Sequence, residues 1–592
     1  MTVLSAADSI AVSGANCRIT SEGKFITGAA TDANGVVEIS TDCNGVLTLN
    51  VTMTGYSPTD IIIEAGTKNL SLGTIYLDQG VILDEVTIKE NSVIHSAGRT
   101  IVFPPSGIVK ASSSSLALFQ KLPLAGLKTD PINRSLTVDG GDPVITINGV
   151  PSNLDEFNAI QPRNILKIEY SRFTPARYAD TGKTGLINVI LKKRNDGGEI
   201  SAYGRSALST TFVDGNILAS YHQGASKFSF QYVPSWRNYQ KVYDNSTRSY
   251  IGDDFNVNLN ETDRNPFYYH QHSLTFQYDL SLDERTLFST SFNVTPFSKK
   301  ARFLGHTIDS ELGEYECNNL SSSRVLTPSL DIFVHKDFNE KNSIEVQVVG
   351  TLSYNDYRRD NNYIFADDNV SSYIMDADSR RRSLISEISY SHNFSSATSL
   401  SAGYQNTVSR STNTYLSSDY KPLLTENNNY AYVRLGQRIG AVYLSLSTGA
   451  KLFWIKNDLN RRHFIRNLSS AQISWNVSKE WSIVGNFRYS PSIPSLTSLT
   501  DYPQQITPYL VSNGNPDLKV AENFNYAVSV NYVNRLFKAS FRSSYFNGRN
   551  SVTNNDIYLG DRLFLSRSIN SRYNSYFENS FDLGLDDFHG FG

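Results

Sequence analysis

The sequence lacks any run approaching the roughly 18 consecutive apolar residues that a membrane-spanning helix needs. Its mean hydropathy is -0.32, and only 19% of its residues are charged. These values exclude a helical membrane protein and leave two classes, a soluble all-β protein and an outer-membrane β-barrel. A barrel escapes detection by hydropathy because the lipid-facing and lumen-facing residues of its strands alternate.

Methionine and cysteine are scarce, with three of each in 592 residues. Few methionines argue against a core of long helices packed with leucine and methionine. The cysteines, Cys17, Cys43 and Cys317, form no CxxC pair and no cluster with zinc-ligand spacing. Cys17 and Cys43 lie in one short segment, and both a disulfide and two free thiols remain open.

Positive charge is also not in excess, since 54 Lys and Arg face 57 Asp and Glu. No basic run stands out, so a nucleic-acid partner is not expected. The sequence contains no P-loop and no G-x-S-x-G motif, and no glycosidase carboxylate pair can be chosen from spacing. His270 and His272 share a strand face but lack a third ligand, so a lumen or interface position is favoured over a metal site. We therefore expect no enzyme, no catalytic residue, no metal and no cofactor.

Residues 1–80 read as short strands separated by turns, including an Asn34-Gly35 turn. The pattern predicts a small β-sandwich of about seven strands and resembles the carboxypeptidase-regulatory-like domain. No basic and apolar leader follows Met1, so no signal peptide is visible.

Residues 81–194 have a different sequence pattern, which predicts short strands that alternate with short helical segments. A helix is predicted from Leu116 and ends at Pro123, and strands are predicted over 144–150, 165–170 and 185–193. This pattern indicates a compact α+β domain.

The segment 146–193 resembles the second half of the plug domain of TonB-dependent outer-membrane receptors. The resemblance rests on an Asn-Gly-Val segment, a strand with Ile-x-x-Ile-Glu, and a closing segment that contains glycines. Two departures occur in the close, where Ala179-Asp180 and Lys183-Thr184 replace glycines. The matching residues are Asn148, Gly149, Val150, Ile168, Glu169, Tyr178, Gly182, Gly185 and Asn188.

Residues 195–592 are a series of alternating runs of about 10–14 residues, the length that crosses a bilayer at a tilt. Leu274, Phe276 and Tyr278 share one strand face, predicted to contact lipid, while Thr275 and Gln277 share the other. Tight turns alternate with polar segments, predicted as loops over 240–267, 299–325, 357–382, 412–427 and 494–522. The stretch 513–519 also resembles one that precedes a strand in these receptors.

About sixteen spanning strands can be counted, whereas a plugged lumen goes with about 22. We therefore expect an incomplete antiparallel barrel, a fragment of a longer receptor with about six C-terminal strands absent. The edges of the sheet are expected near Ile200–Ala207 and Tyr573–Leu583.

The resemblance implies a mainly β receptor of the Bacteroidetes type in the outer membrane. Its parts would be a sandwich (1–80), a TonB-box-like segment with the plug (81–194) and the barrel (195–592). Implied partners are the TonB complex, outer-membrane lipid, a small-molecule, glycan or peptide ligand, and a possible surface lipoprotein. The alternative is a non-transporting receptor, adhesin or signalling protein. The segment implied to bind the TonB complex comprises Asp84, Glu85, Val86, Thr87 and Ile88.

Overall fold

The structure is a computed structural model of the chain. It describes residues 1–585 except 7, 22–23, 42, 44, 54–55, 66–69, 79–92, 97–98, 131–133, 176–177, 179–180, 193–195, 208–210, 254–255, 284, 417–420, 457–460 and 535–536. The chain separates into two compact units, residues 1–91 and 92–592. None of the helices in the described residues has the length and apolar character of a membrane span.

The first unit consists of two small sheets around one core. Its strands are β1 (Thr2–Ser5), β2 (Asn16–Ser21), β3 (Lys24–Ala30), β4 (Gly45–Thr52), β5 (Thr59–Ala65) and β6 (Thr74–Leu77). β1 pairs with β6 in parallel, and the other sheet has the order β3-β2-β4-β5. Alternate residues of β4, such as Leu49 and Val51, are buried with Cys17 of β2. Six strands are thus described where the sequence predicts about seven, and the predicted boundary at residue 80 falls outside the described residues.

The second unit begins with an α+β plug, as the sequence predicts. Its elements are β7 (Val93–Ser96), β8 (Arg99–Val102), α1 (Ser106–Lys110), α2 (Ser115–Gln120), β9 (Leu127–Asp130), β10 (Ser135–Val138), β11 (Val144–Ile147), β12 (Val150–Ser152), α3 (Leu154–Ala159), a 3-10 turn (Pro162–Asn164), β13 (Ile165–Ser171) and β14 (Leu186–Leu191). Six of these strands form one sheet in the order β12-β11-β14-β13-β8-β7.

The plug core lies between this sheet and helices α2 and α3. The Ser114 side chain caps α2 by accepting a hydrogen bond from the Ala117 N–H, and the helix ends before Pro123. Phe119 of α2 and Phe157 of α3 meet edge to face at 4.8 Å, and both are fully buried. Ile168 of β13 is fully buried in the same core, so the alternating pattern read from the sequence places this strand correctly.

A single twenty-stranded sheet, here called the barrel sheet, follows the plug. Its strands are β15 (Gly197–Ser206), β16 (Thr211–Gln223), β17 (Ser226–Tyr239), β18 (Tyr243–Ile251), β19 (Asn256–Arg264), β20 (Phe267–Asp283), β21 (Thr286–Asp309), β22 (Gly313–Asn339), β23 (Asn342–Phe365), β24 (Val370–Asn393), β25 (Thr398–Tyr415), β26 (Leu423–Ile439), β27 (Val442–Lys456), β28 (Arg461–Asn476), β29 (Trp481–Ser492), β30 (Gln504–Thr507), β31 (Leu510–Asn513), β32 (Ala521–Val533), β33 (Phe537–Gly560) and β34 (Leu563–Leu585). A short helix, α4 (Leu496–Leu499), lies between β29 and β30.

Four strands of the barrel sheet, β18, β19, β30 and β31, have nine residues or fewer. The other sixteen have ten or more residues, and sixteen is the number of long strands counted from the sequence. In the sheet order β15 and β34 are the outermost strands, the two predicted as edges.

The predicted polar loops are largely wrong. Residues 299–309 and 313–325, for example, belong to β21 and β22, which pair without interruption up to Asp309 opposite Gly313. Cys317, predicted in a loop, is a buried residue of β22. Alternating Ser, Asn and Tyr residues suit a strand that is solvated on one face. Antiparallel pairing therefore continues through these predicted loops, which form long hairpins, here called the outer hairpins.

The two faces of β20 differ as the sequence predicts. Phe276 is 53% exposed and Thr275 only 8%. Phe276 lies directly between Phe230 of β17 and Phe292 of β21. Thr275 and Gln277 instead line a cavity shared with the plug. The face with Phe276 is therefore the outer surface of the barrel sheet.

Candidate functional site

The Asn-Gly segment of the plug was predicted as part of a strand over 144–150, which is wrong, because it is a tight hairpin turn between β11 and β12. Asn148 and Gly149 have φ of 52° and 83°, and Ile147 pairs with Val150 across the turn. Two successive residues with positive φ are what a type I′ turn requires, and Asn followed by Gly adopts it most readily. The Asn148 side chain also accepts a hydrogen bond from the Leu191 N–H at 2.8 Å, which ties the turn to β14.

Asn188 joins three plug segments that are distant in sequence. Its Oδ1 accepts hydrogen bonds from the Thr146 hydroxyl at 2.9 Å and from the Gly149 N–H at 3.0 Å. Its Nδ2 donates to Glu169 Oε2 at 3.1 Å. The motif residues Gly149, Glu169 and Asn188 therefore form one network that fixes the Asn-Gly turn to the central strands.

Glu169 is held ionised on the surface of this network. Burial opposes the charge, but the hydrogen bond from Lys167 and the charge of Arg99 outweigh it and lower the pKa of Glu169. The Lys167 Nζ lies 2.8 Å and the Arg99 guanidinium 3.7 Å from the carboxylate. The preceding residue, Ile168, is buried in the core. Within the Ile-Glu motif, Ile168 therefore contributes to packing and Glu169 to the charged network.

The glycines of the closing segment have separate roles. Gly182 and Gly185 both have positive φ, 73° and 69°. A Cβ on Gly185 would lie 2.7 Å from the Ser171 carbonyl oxygen, so only glycine fits there, whereas a Cβ on Gly182 would meet nothing within 4 Å. Tyr178 begins this segment with an N–H donated to the Pro175 carbonyl at 3.0 Å. The departure at Thr184 is accommodated because its hydroxyl donates to the Val138 carbonyl at 2.6 Å.

A buried ion pair, which sequence reasoning missed, holds the same region. Arg172 donates two hydrogen bonds to Asp139, one of them from Nε to Oδ2 at 2.9 Å, and both side chains are less than 10% exposed. Burial disfavours the charge on Arg172, but Asp139 more than compensates and raises the pKa of Arg172. The partners are 33 residues apart, and no local pattern links a turn aspartate to this arginine.

The plug is anchored to β27, β28 and β29 of the barrel sheet. Gln472 Nε2 donates to the Arg172 carbonyl at 3.1 Å, and Arg488 donates to the Lys183 carbonyl at 3.0 Å. The ring of Phe173 meets that of Tyr443 edge to face at 4.7 Å. Arg172, Phe173 and Lys183 therefore lie against the wall formed by β27, β28 and β29, here called the anchored wall.

Further contacts join the plug to strands at both ends of the barrel sheet. Because the plug touches the first, middle and last strands, the sheet curves around it. The contacts join Asn164 to Glu199 of β15 at 3.0 Å, Asn216 of β16 to the Asp155 carbonyl at 2.8 Å, Lys538 of β33 to the Gln120 carbonyl at 3.0 Å, and Lys128 to Asp582 of β34 at 2.7 Å.

A cavity of about 240 Å³ separates the plug from another part of the barrel sheet. Its plug side is the segment 150–153 and Glu156, and its opposite side is formed by β20, β21 and β22. Burial raises the pKa of Glu156, although hydrogen bonds from Ser152 and Asn153 oppose this shift. The sheet residues that line the cavity are Thr275, Gln277, Ser289, Ser291, Asn293, Asp331 and Phe333.

Other sequence-predicted residues lie elsewhere. The segment 84–88 falls outside the described residues. His270 and His272 lie on the outer face of β20, where His272 Nδ1 is 2.8 Å from the Tyr232 hydroxyl. Within the described parts of the chain, no three His, Cys, Asp or Glu residues are arranged to hold a metal. Cys17 and Cys43 are free thiols, the first buried and the second exposed.

The stretch 513–519 lies along β34 before β32 begins. Asn515 donates to the Ser568 carbonyl at 3.0 Å, and the Lys519 N–H donates to Asn570 Oδ1 at 2.7 Å. Arg462 of β28 donates to the Leu518 carbonyl at 3.1 Å. The stretch therefore links the strands on either side of it.

No protein-family model matches this sequence, and no curated protein matches it significantly. Solved structures do match. FpvA of Pseudomonas aeruginosa, described as bound to heterologous pyoverdines, has 11% identity and a TM-score of 0.50, with 83% of this chain and 68% of that chain covered.

Two siderophore receptors named PirA also match. The one from Acinetobacter baumannii has 12% identity, a TM-score of 0.47 and coverage of 83% and 78%. The one from Pseudomonas aeruginosa has 11% identity, a TM-score of 0.44 and coverage of 84% and 83%. At these identities the likeness concerns fold alone, and the fold that this chain shares with FpvA is a β-barrel sheet around a plug domain.

Proposed function

We propose that this chain is a TonB-dependent outer-membrane receptor that takes up a nutrient ligand. The observation that carries the proposal is the folded plug inside the barrel sheet. A domain that is hydrogen-bonded to the surrounding strands closes the lumen to free diffusion, so passage requires work on the plug. A permanently open pore, in contrast, needs no domain that blocks its lumen.

The ligand is captured on the outer side, and the proposal leaves its identity open among small molecules, glycans and peptides. The solved structures that share the fold are described as receptors for siderophores or as bound to pyoverdines. Uptake of an iron-chelating ligand is therefore the first case to test. No catalytic step forms part of the proposal.

Energy would reach the plug through residues 84–88, which precede the plug in the sequence. Their sequence, Asp84-Glu85-Val86-Thr87-Ile88, is rich in β-formers and resembles the TonB-binding segment of the family. An extended segment of this kind binds by adding a strand to the edge of a partner's sheet, where backbone hydrogen bonds supply the affinity.

The test is a comparison of Val86→Pro with Val86→Ala in cells. Proline removes an N–H and restricts the residue before it, so strand addition fails, whereas alanine keeps the backbone donor. We expect Val86→Pro to bind labelled ferric siderophores or oligosaccharides at the surface but not to accumulate them. Val86→Ala should do both.

Accumulation by Val86→Pro at the wild-type rate would show that this segment is not the coupling strand. Binding without accumulation by the wild type, in cells with a working TonB complex, would instead favour a non-transporting receptor or adhesin.

A further inference from the structure

The plug meets the barrel sheet differently on two sides. On the anchored wall the carbonyl groups of Arg172 and Lys183 are bonded directly to Gln472 and Arg488. On the side of β20, β21 and β22 the cavity of about 240 Å³ intervenes. A movement of the plug therefore meets different resistance on the two sides.

Three hydrogen bonds of the cavity wall lie within the wall itself. Asn293 Nδ2 donates to Thr275 Oγ1 at 2.8 Å, and the Ser289 hydroxyl donates to Asp279 at 2.7 Å. Gln347 Nε2 donates to Asp331 Oδ2 at 2.8 Å. If the plug segment withdraws, these three contacts remain, so they add no penalty for a buried group left without a hydrogen bond.

The anchored wall behaves in the opposite way. Separating the plug there would remove the carbonyl acceptor from Arg488, a largely buried guanidinium that donates to it at 3.0 Å. A buried cation without an acceptor is costly. The anchored wall should therefore keep its contacts while the other side opens.

The plug segment that faces the cavity includes β12, which has the fewest strand pairs among the described strands of the plug. β12 is the edge of the six-stranded sheet and pairs only with β11, through three residue pairs. Pro151, in the middle of β12, has no N–H to donate. Separating β12 from β11 therefore breaks few backbone hydrogen bonds.

From these observations we propose that the permeation path runs between residues 150–153 of the plug and strands β20, β21 and β22. It takes a hydrophilic solute, because hydroxyl, amide and carboxylate groups line the wall and can exchange hydrogen bonds with the solute as it passes. Phe333 is the single aromatic side chain among the lining residues and narrows the path. The proposal rests on the transport function proposed above and assigns its route.

The experiment measures swelling of proteoliposomes in L-arabinose, which requires neither the TonB complex nor the natural ligand. Phe333→Ala enlarges the cavity, and we expect swelling at least threefold faster than with wild type. The matched control is Phe453→Ala, which removes an equally buried phenylalanine from β27, outside the cavity lining. It should swell at the wild-type rate. Both variants are first checked for wild-type thermal stability.

A cross-link then locates the leak. In a Cys43→Ser background, Ser152→Cys and Ser291→Cys place one thiol on each side of the cavity, and a short bismaleimide joins them. Joining them in Phe333→Ala should return swelling to the wild-type rate. The control pair, Lys128→Cys and Asp582→Cys, replaces an existing contact elsewhere and should leave the fast rate unchanged.

Wild-type swelling by Phe333→Ala, or a fast rate that survives the cavity cross-link, would overturn the route. Equal leakage from Phe453→Ala would also overturn it, because the leak would then be independent of the cavity. None of these results bears on TonB-dependent uptake, which the Val86 variants test separately.

Discussion

Replacing Phe276 by arginine should prevent assembly of the barrel sheet, while the same change at Gln277 should be tolerated. The two residues are neighbours on β20 but lie on opposite faces. Phe276 is 53% exposed on the outer surface, with its ring 4.9 Å from that of Phe230. Gln277 faces the cavity and donates to Asp279 at 2.8 Å.

The expected magnitude follows from these surroundings. An arginine on the lipid face near the bilayer midplane costs about 2–4 kcal/mol. Loss of the aromatic pair with Phe230 adds about 0.5–1.5 kcal/mol. A combined loss of about 3–5 kcal/mol corresponds to roughly two to four decades in the folding equilibrium, at about 1.4 kcal/mol per decade. At position 277 a guanidinium would instead meet the carboxylate of Asp279 in a hydrated space.

The assay is urea unfolding of each variant in phospholipid vesicles, followed by tryptophan fluorescence, together with the yield of membrane-inserted protein in cells. Phe276→Leu serves as the control, since it keeps an apolar side chain and should lose only the aromatic contribution. Equal insertion of Phe276→Arg and Gln277→Arg would refute the assignment of the two faces.

Three further predictions concern the plug, the outer hairpins and the thiols. Asn188→Ala should lower plug stability by about 1–3 kcal/mol, because Gly149 N–H loses its acceptor and Glu169 a donor; limited proteolysis in urea measures this. Asp263, on β19 outside the spanning strands, is buried, and burial raises its pKa to about 6. Asp263 therefore binds its proton more tightly in the folded state than in the unfolded chain. Its contribution to the free energy of unfolding is present near pH 4 and is lost as the pH rises to about 6. The free energy of unfolding of Asp263→Asn should not show this loss between pH 4 and 7. The same pH profile for the variant and the wild type would contradict the prediction. In the folded protein Cys43 should react readily with a thiol reagent and Cys17 slowly, since burial raises the pKa of Cys17; comparable rates would show that Cys17 is accessible.

The sequence predicts those features that depend on neighbouring residues. The outward position of Phe276 follows from strand alternation, and the helix that ends before Pro123 follows from the chemistry of proline. Each of these predictions needs only a few consecutive residues, and each is confirmed.

Features that depend on pairing between distant segments could not be predicted. The ion pair of Asp139 with Arg172 requires the fold of the plug. The cavity beside Glu156 requires the position of the plug in the barrel sheet. The outer hairpins were predicted as loops because polar residues favour both loops and solvated strands, and only pairing, such as that of Asp309 with Gly313, decides between them.

The most direct test of the central claim is ligand accumulation by cells with and without a working TonB complex. Cells expressing the receptor are supplied with a panel of labelled ferric siderophores, oligosaccharides and peptides, and surface binding is measured separately from accumulation. We predict that at least one ligand binds equally in both strains and accumulates only in the strain with the TonB complex. Accumulation at equal rates in both strains would contradict energised transport through the plug.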